Sequence, residues 1–213
     1  MDWYRKFKIT IAENMDDESD YSNPQDTAYF EAVKNEKMVD VQRMVEEAAM
    51  SAGYNIGPVY HGTSNPEFNR FTERGGLTGR LGFWFTSNKS SAQNFARQRF
   101  HDIKPGVKSV YLKLHNTITY KGWDKITEAV SSMRNGGSIE QGAEKLRGSL
   151  MRKGFDGIII VGSDTDNAGI RDDYVVFKSN QIKSADLVVY DNSKNVIPLS
   201  RRFDPGNDIR GTV

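Results

Sequence analysis

Beyond Pro58 the chain is written in short β-branched and aromatic stretches, and this pattern constrains the fold more than any other feature. "VYHGT", "GFWFTS", "SVYLKLHN", "GFDGIIIVG", "DYVVFKS" and "ADLVVYD" read as about six strands of four to eight residues. In "SVYLKLHN" the alternation puts Val110, Leu112 and Leu114 on one face and Tyr111, Lys113 and His115 on the other. Helical patterns fall between the strands at irregular intervals. A doubly wound parallel fold needs regular alternation, so the expectation is α+β with a mostly antiparallel sheet system.

The helices have their own signatures. After the polar stretch "DDESDYSNPQD", read as loop or disorder, the run from Asp26 to Tyr54 turns helical. Val41, Met44, Val45, Ala48 and Ala49 share one face, and Gly53 is the stop signal. A second helix follows Asn88, its cap, with Ala92, Phe95, Ala96 and Phe100 on one side. A third spans roughly Ser138 to Lys153 and ends at Gly154. The expected organisation is an N-terminal polar segment with helices over 1–55, a main domain over 56–192 and a polar tail over 193–213 that covers the surface loosely.

Composition narrows the function classes. A chain of 213 residues can bury a sizeable core, and a mean hydropathy of −0.63 implies a polar surface with long loops. Cysteine is absent, which excludes disulfides, a thiolate nucleophile and a thiolate zinc site. The net charge of +1 provides no global attraction to nucleic acid or anionic membrane. No apolar run reaches the roughly eighteen residues of a membrane span, and the N-terminus lacks the apolar core of a signal peptide. The expectation is a cytoplasmic protein with no membrane and no metal among its partners.

Three stretches carry chemistry. In "VYHGTS", His61 ends a strand beside Gly62, whose bare backbone allows close approach of a ligand, and Thr63 and Ser64 add hydroxyls. A strand-end imidazole can hold a sugar hydroxyl or act as a general base. In "GFWFTSNKSSAQNFA", Phe83, Trp84 and Phe85 run into a helix that carries Ser91 and, one turn on, Phe95. A stacking ring and a hydroxyl one turn apart suit a flat heteroaromatic amide. In "RDDYVVFKSNQIKSAD", Asp172 and Asp173 directly precede a strand. Each stretch alone also reads as ordinary core or solvated surface. Only convergence would make them a site.

Taken in order, "YHGTS", then "GFWFTS…SSA…F", then an acid before "YVVF…NQIKSA" resembles the ADP-ribosyltransferase superfamily, in the branch that includes diphtheria toxin and the poly(ADP-ribose) polymerases. The similarity is greatest to the transferase domains of phage and prophage polyvalent proteins and runs from about Asp26 to Asp208. That resemblance implies a split β-sandwich enclosing a cleft for NAD, the co-substrate. It implies that His61 holds the adenine-side ribose, that the Gly62 backbone grips the nicotinamide amide, and that Trp84 stands where the family has a tyrosine. Ser91 and Phe95 match the amide-binding serine and the second stacking ring. Asp173 falls where the catalytic glutamate stands, a methylene short, which points to single transfers rather than polymer elongation. Thr63 and Arg80 are candidate cofactor contacts, Arg80 for the pyrophosphate.

The loop "VGSDTDNAGIRDD" corresponds to the segment that faces the target, so Asp166, Asn167, Arg171 and Asp172 are candidates for target selection. Its Asp-x-Asp spacing resembles part of a calcium loop, but Ala168 stands at a ligand position and Val175 where the closing glutamate belongs. The expected activity is mono-ADP-ribosyl transfer from NAD to a macromolecule of a bacterial host, a protein ahead of a nucleic acid given the near-neutral charge. Plain NAD hydrolysis, a non-catalytic NAD or ADP-ribose binding module, and a virion-associated structural domain are the alternatives.

Overall fold

The computed structural model describes residues 23–73, 76–99, 105–164 and 169–212. The helical run after Asp26 is two helices. Helix α1 (Pro24–Lys34) starts at Asn23, whose side chain accepts from the Gln25 amide at 2.9 Å, with proline in the first turn. Glu36 then takes a left-handed conformation (φ 59°) and α2 (Met38–Ser51) folds back. Val41, Val45 and Ala49 of α2 are buried against Tyr29, Phe30 and Val33 of α1, as the periodicity predicts.

Seven strands form one mixed sheet: β1 (Ile56–Thr63), β2 (Phe83–Thr86), β3 (Gly106–Leu112), β4 (Thr117–Lys121), β5 (Gly157–Ser163), β6 (Arg171–Val176) and β7 (Ile182–Ser184). Their order is β4-β5-β6-β2-β1-β3-β7. Every pairing is antiparallel except β4 with β5, whose crossover carries α5 (Trp123–Ser132) and α6 (Ile139–Arg152). Two further helices, α3 (Gly76–Leu81) and α4 (Lys89–Arg99), flank β2, and α7 (Leu199–Arg202) lies in the C-terminal segment. A capping box at Ser138 opens α6, and Gly154 (φ 87°) ends its last turn. No helix among the described residues is long and apolar enough to cross a membrane.

The sheet is held tightly within two halves and thinly between them. Strands β2 and β6 pair at four register points, and β1 and β3 at six. Strands β1 and β2 pair at one, Tyr60 opposite Thr86. Beneath one half, α5 and α6 bury Ile126, Val130, Leu146 and Leu150 against Ile158, Ile160 and Val175. Over the other half, α1 and α2 pack with Tyr111. The opposite face buries Val59, Phe85, Val110, Leu112 and Val176 under Phe71 and Ile209.

Two expectations differ from what is found. "ADLVVYD" is irregular, with only an isolated bridge from Tyr190 to Val196. It follows β7, the strand that pairs with β3, and the Arg202 guanidinium takes the carbonyls of Asp186 and Leu187 that a further ladder would need. The polar tail is not loose: Arg202, Phe203 and Ile209 are buried, and Asp26 binds the Ser200 amide at 2.8 Å and its hydroxyl at 2.6 Å. The Arg202 charge in that tail meets backbone carbonyls, and Ser200 meets the buried Asp26 carboxylate, instead of water. Strand β4 and helices α3 and α5 were not among the elements expected from the sequence.

Candidate active site at a split in the sheet

The three candidate side chains for catalysis stand on the three central strands, β1, β2 and β6, which lie side by side. His61 is one residue past the single register point between the halves. Its Nδ1 lies 2.8 Å from the Trp84 carbonyl oxygen. A carbonyl only accepts, so Nδ1 carries the proton and donates, and in the neutral ring Nε2 is the acceptor. The imidazole thus straps the two halves together where backbone pairing thins out. Its ring packs edge-on to Phe71 at 5.0 Å and tilted to Phe85 at 5.6 Å, on the face away from the helices.

Trp84 points the other way. Its indole lies 4.9 Å from that of Trp123, tilted by 50°, in the cluster under α5 and α6. Register places Trp84 opposite Val175 and Thr86 opposite Asp173, so alternation puts Trp84, Thr86 and Asp173 on this helix-covered face. The indole and the carboxylate therefore share a face. The imidazole is linked to the strand that bears the indole through the Trp84 backbone carbonyl.

Asp173 is buried at 6 % exposure. Its Oδ1 accepts from Arg171 Nε at 3.2 Å, and both side chains are nearly covered (7 % and 9 % exposed). Its second oxygen accepts no hydrogen bond from a described residue. The neighbouring Tyr174 phenol is pushed up, first by burial and then by the charges of Asp172 and Asp173. Asp172 joins strand ends: its amide donates to Ser87 Oγ at 3.1 Å, its carbonyl accepts from the Ser87 amide at 2.9 Å, and its carboxylate accepts from the Gly162 amide at 3.3 Å. Arg171, read from sequence as a target contact, is committed to Asp173. Asp166 and Asn167 lie outside the described residues.

Helix α4 closes the helix-covered side. Asn88 caps it, accepting from the amides of Ser90 at 2.9 Å and Ser91 at 3.1 Å. Ala92 and Ala96 press on Gly62, where an added Cβ would sit 2.2 Å from the Ala92 carbonyl oxygen. The glycine that sequence reads as room for a ligand is also required by the helix backbone. Ser91 is buried one turn before Phe95, which stays 47 % exposed. Thr63 is buried, its hydroxyl accepting from the Asn65 amide at 3.2 Å in a local turn. Arg80 is exposed on α3, which packs on α6. There it adds, after the helix's own amide, Ser138 and Arg134, to holding the Glu140 carboxyl below its ordinary range.

Sequence reasoning missed Trp123, Thr86, Phe68 and Phe71. The i, i+3 spacing of the two phenylalanines in "PEFNRFTE" was a usable signal; the register that brings Thr86 to Asp173 was not, since pairing partners are set in three dimensions. A family model described as ADP-ribosyltransferase in polyvalent proteins matches residues 52–187, a span that contains β1 through β7 and every candidate named above. Searches of curated proteins and of solved structures find no match.

Proposed function

The chain belongs to the ADP-ribosyltransferases of polyvalent proteins, and from that premise we propose that it cleaves the nicotinamide–ribose bond of NAD and passes single ADP-ribose units to a macromolecule of a bacterial host. The observation that carries the proposal is the position of Asp173. It is a buried carboxylate, one oxygen fixed by Arg171 and one open to a donor, directly across the ladder from the strand that also bears Trp84.

In this reading, loss of nicotinamide builds positive charge on the ribose, as in glycoside cleavage. The open oxygen of Asp173 accepts a ribose hydroxyl and stabilises that charge at short range. His61, its Nδ1 proton tied to the Trp84 carbonyl, offers Nε2 as the acceptor for a hydroxyl of the other ribose. The Gly62 backbone, Ser91 and Phe95 flank the nicotinamide amide. The net charge of +1 favours a protein acceptor over a nucleic acid, and a chain without cysteine suits transfer in the reducing cytoplasm.

Nicotinamide release from NAD, measured by chromatography, tests this. The parent releases it, and Asp173→Ala is slower by about a hundredfold or more. An Asp173→Ala variant as fast as the parent removes Asp173 from the mechanism. A second reading, NAD or ADP-ribose binding without turnover, is supported by the covered state of Asp173 and by the packing of Trp84 on Trp123. It predicts that NAD raises the melting temperature while no nicotinamide appears.

A further inference from the structure

Lys108 stands opposite His61 in the β1–β3 ladder. Residues so paired in an antiparallel ladder put their side chains on the same face, with Cβ atoms about 5 Å apart. The Lys108 ammonium lies 5.5 Å from the Phe68 ring centroid, and Phe68 in turn packs edge-on to His61 at 6.4 Å. Imidazole, aromatic ring and ammonium thus form one cluster on the face away from the helices.

Among the described residues the ammonium makes no hydrogen bond and no ion pair. The carboxylates that influence it from a distance are Asp186, Glu67 and Asp208. Of these, Asp186 accepts from Ser184 Oγ at 2.8 Å, and Asp208 is clamped by Arg210 at 2.8 and 3.0 Å. Burial pushes the Lys108 ammonium below its ordinary range, against the pull of those acids and with a smaller push from Arg210. A half-buried cation that makes no direct ion pair loses hydration that distant carboxylates only partly replace, and an arriving anion recovers that cost.

We propose that Lys108 is the cation that receives the diphosphate of the dinucleotide, beside the ribose held by His61. The inference rests on the NAD reading above. It also displaces Arg80, the residue expected from sequence to fill that role, which stands on α3 against α6. An ammonium is a point charge without the fork geometry of arginine, so it recognises the diphosphate by charge and tolerates either phosphate.

Calorimetric titration of ADP-ribose and, separately, nicotinamide into the full chain tests it. In Lys108→Met, which keeps the apolar stem over Phe68, the Kd for ADP-ribose rises about tenfold while that for nicotinamide stays within about twofold. Lys108→Arg restores ADP-ribose binding, and raising salt weakens the parent more than Lys108→Met. A Lys108→Met variant that binds ADP-ribose as the parent does overturns the assignment and leaves the NAD reading standing. A parent that binds neither probe overturns both.

Discussion

Arg171 Nε donates to Asp173 Oδ1 at 3.2 Å, two residues apart on one strand, with both side chains almost wholly covered. This pair sits where the proposed chemistry needs its carboxylate. A buried charge deprived of its partner is expensive. Arg171→Leu therefore destabilises the fold by roughly 3 kcal/mol or more, whereas the double variant Arg171→Leu with Asp173→Leu recovers much of that loss. Chemical denaturation of the two variants and the parent checks the cycle; equal losses in both would refute a coupled pair.

The contact of α4 with β1 leaves no room at Gly62. Gly62→Ala places a methyl 2.2 Å from the Ala92 carbonyl oxygen, backbone that cannot swing aside. The expected cost is about 3 kcal/mol, with nicotinamide binding lost because α4 carries Ser91 and Phe95. Thermal melting and ligand titration read the two effects separately.

Two tyrosines under α1 and α2 should respond in opposite directions. The Tyr111 hydroxyl is buried without a hydrogen-bond partner among the described residues, while Tyr54 donates to the Asn180 carbonyl at 3.0 Å. Tyr111→Phe stabilises by about 1 kcal/mol and Tyr54→Phe destabilises by about the same amount. Both phenols are pushed up to about 12 from 10.0, first by burial. The folded state holds these protons more tightly than the unfolded one. Stability from this source is complete below pH 10 and falls as pH rises through about 12. Tyr54→Phe should flatten that alkaline limb in a pH series of melting curves.

The acid limb belongs in part to Asp208. Burial would raise its carboxyl, but hydrogen bonds and charge from Arg210, with Lys183, outweigh burial and hold it below 3.8. A carboxyl so depressed contributes stability that is present above pH 3.8 and lost as pH falls through its lower folded value. Asp208→Asn should lower stability at neutral pH and make the loss below about pH 4 shallower. An unchanged acid slope in urea titrations would argue against the clamp.

Much of this was legible in the chain. Runs of β-branched and aromatic residues located β1, β2, β5 and β6, and period-two alternation located β3. Period 3.6 located α2 and α4, and Asn88, Ser138 and Gly154 marked helix ends by local hydrogen bonding and backbone freedom. Strand β4 and α5 were passed over although "TITYK" alternates and α5 sets Ile126 and Val130 one turn apart, both usable signals. The segment "ADLVVYD" misled because a strand needs free backbone carbonyls as well as strand-forming residues, and those of Asp186 and Leu187 are taken by Arg202.

His61, Gly62, Trp84, Ser91, Phe95 and Asp173 could be picked out by residue type and order alone, since those are local facts of the chain. Their relations could not. That His61 holds the Trp84 carbonyl, that Trp84 faces Trp123, that Arg171 covers Asp173 and that Lys108 stands beside His61 all depend on strand order and register. Those are decided by long-range pairing and by which helix covers which face. Local sequence thus determined the elements and the chemical groups, and the tertiary structure alone determined which groups meet, because a side chain's neighbours across a sheet lie tens of residues away in the chain.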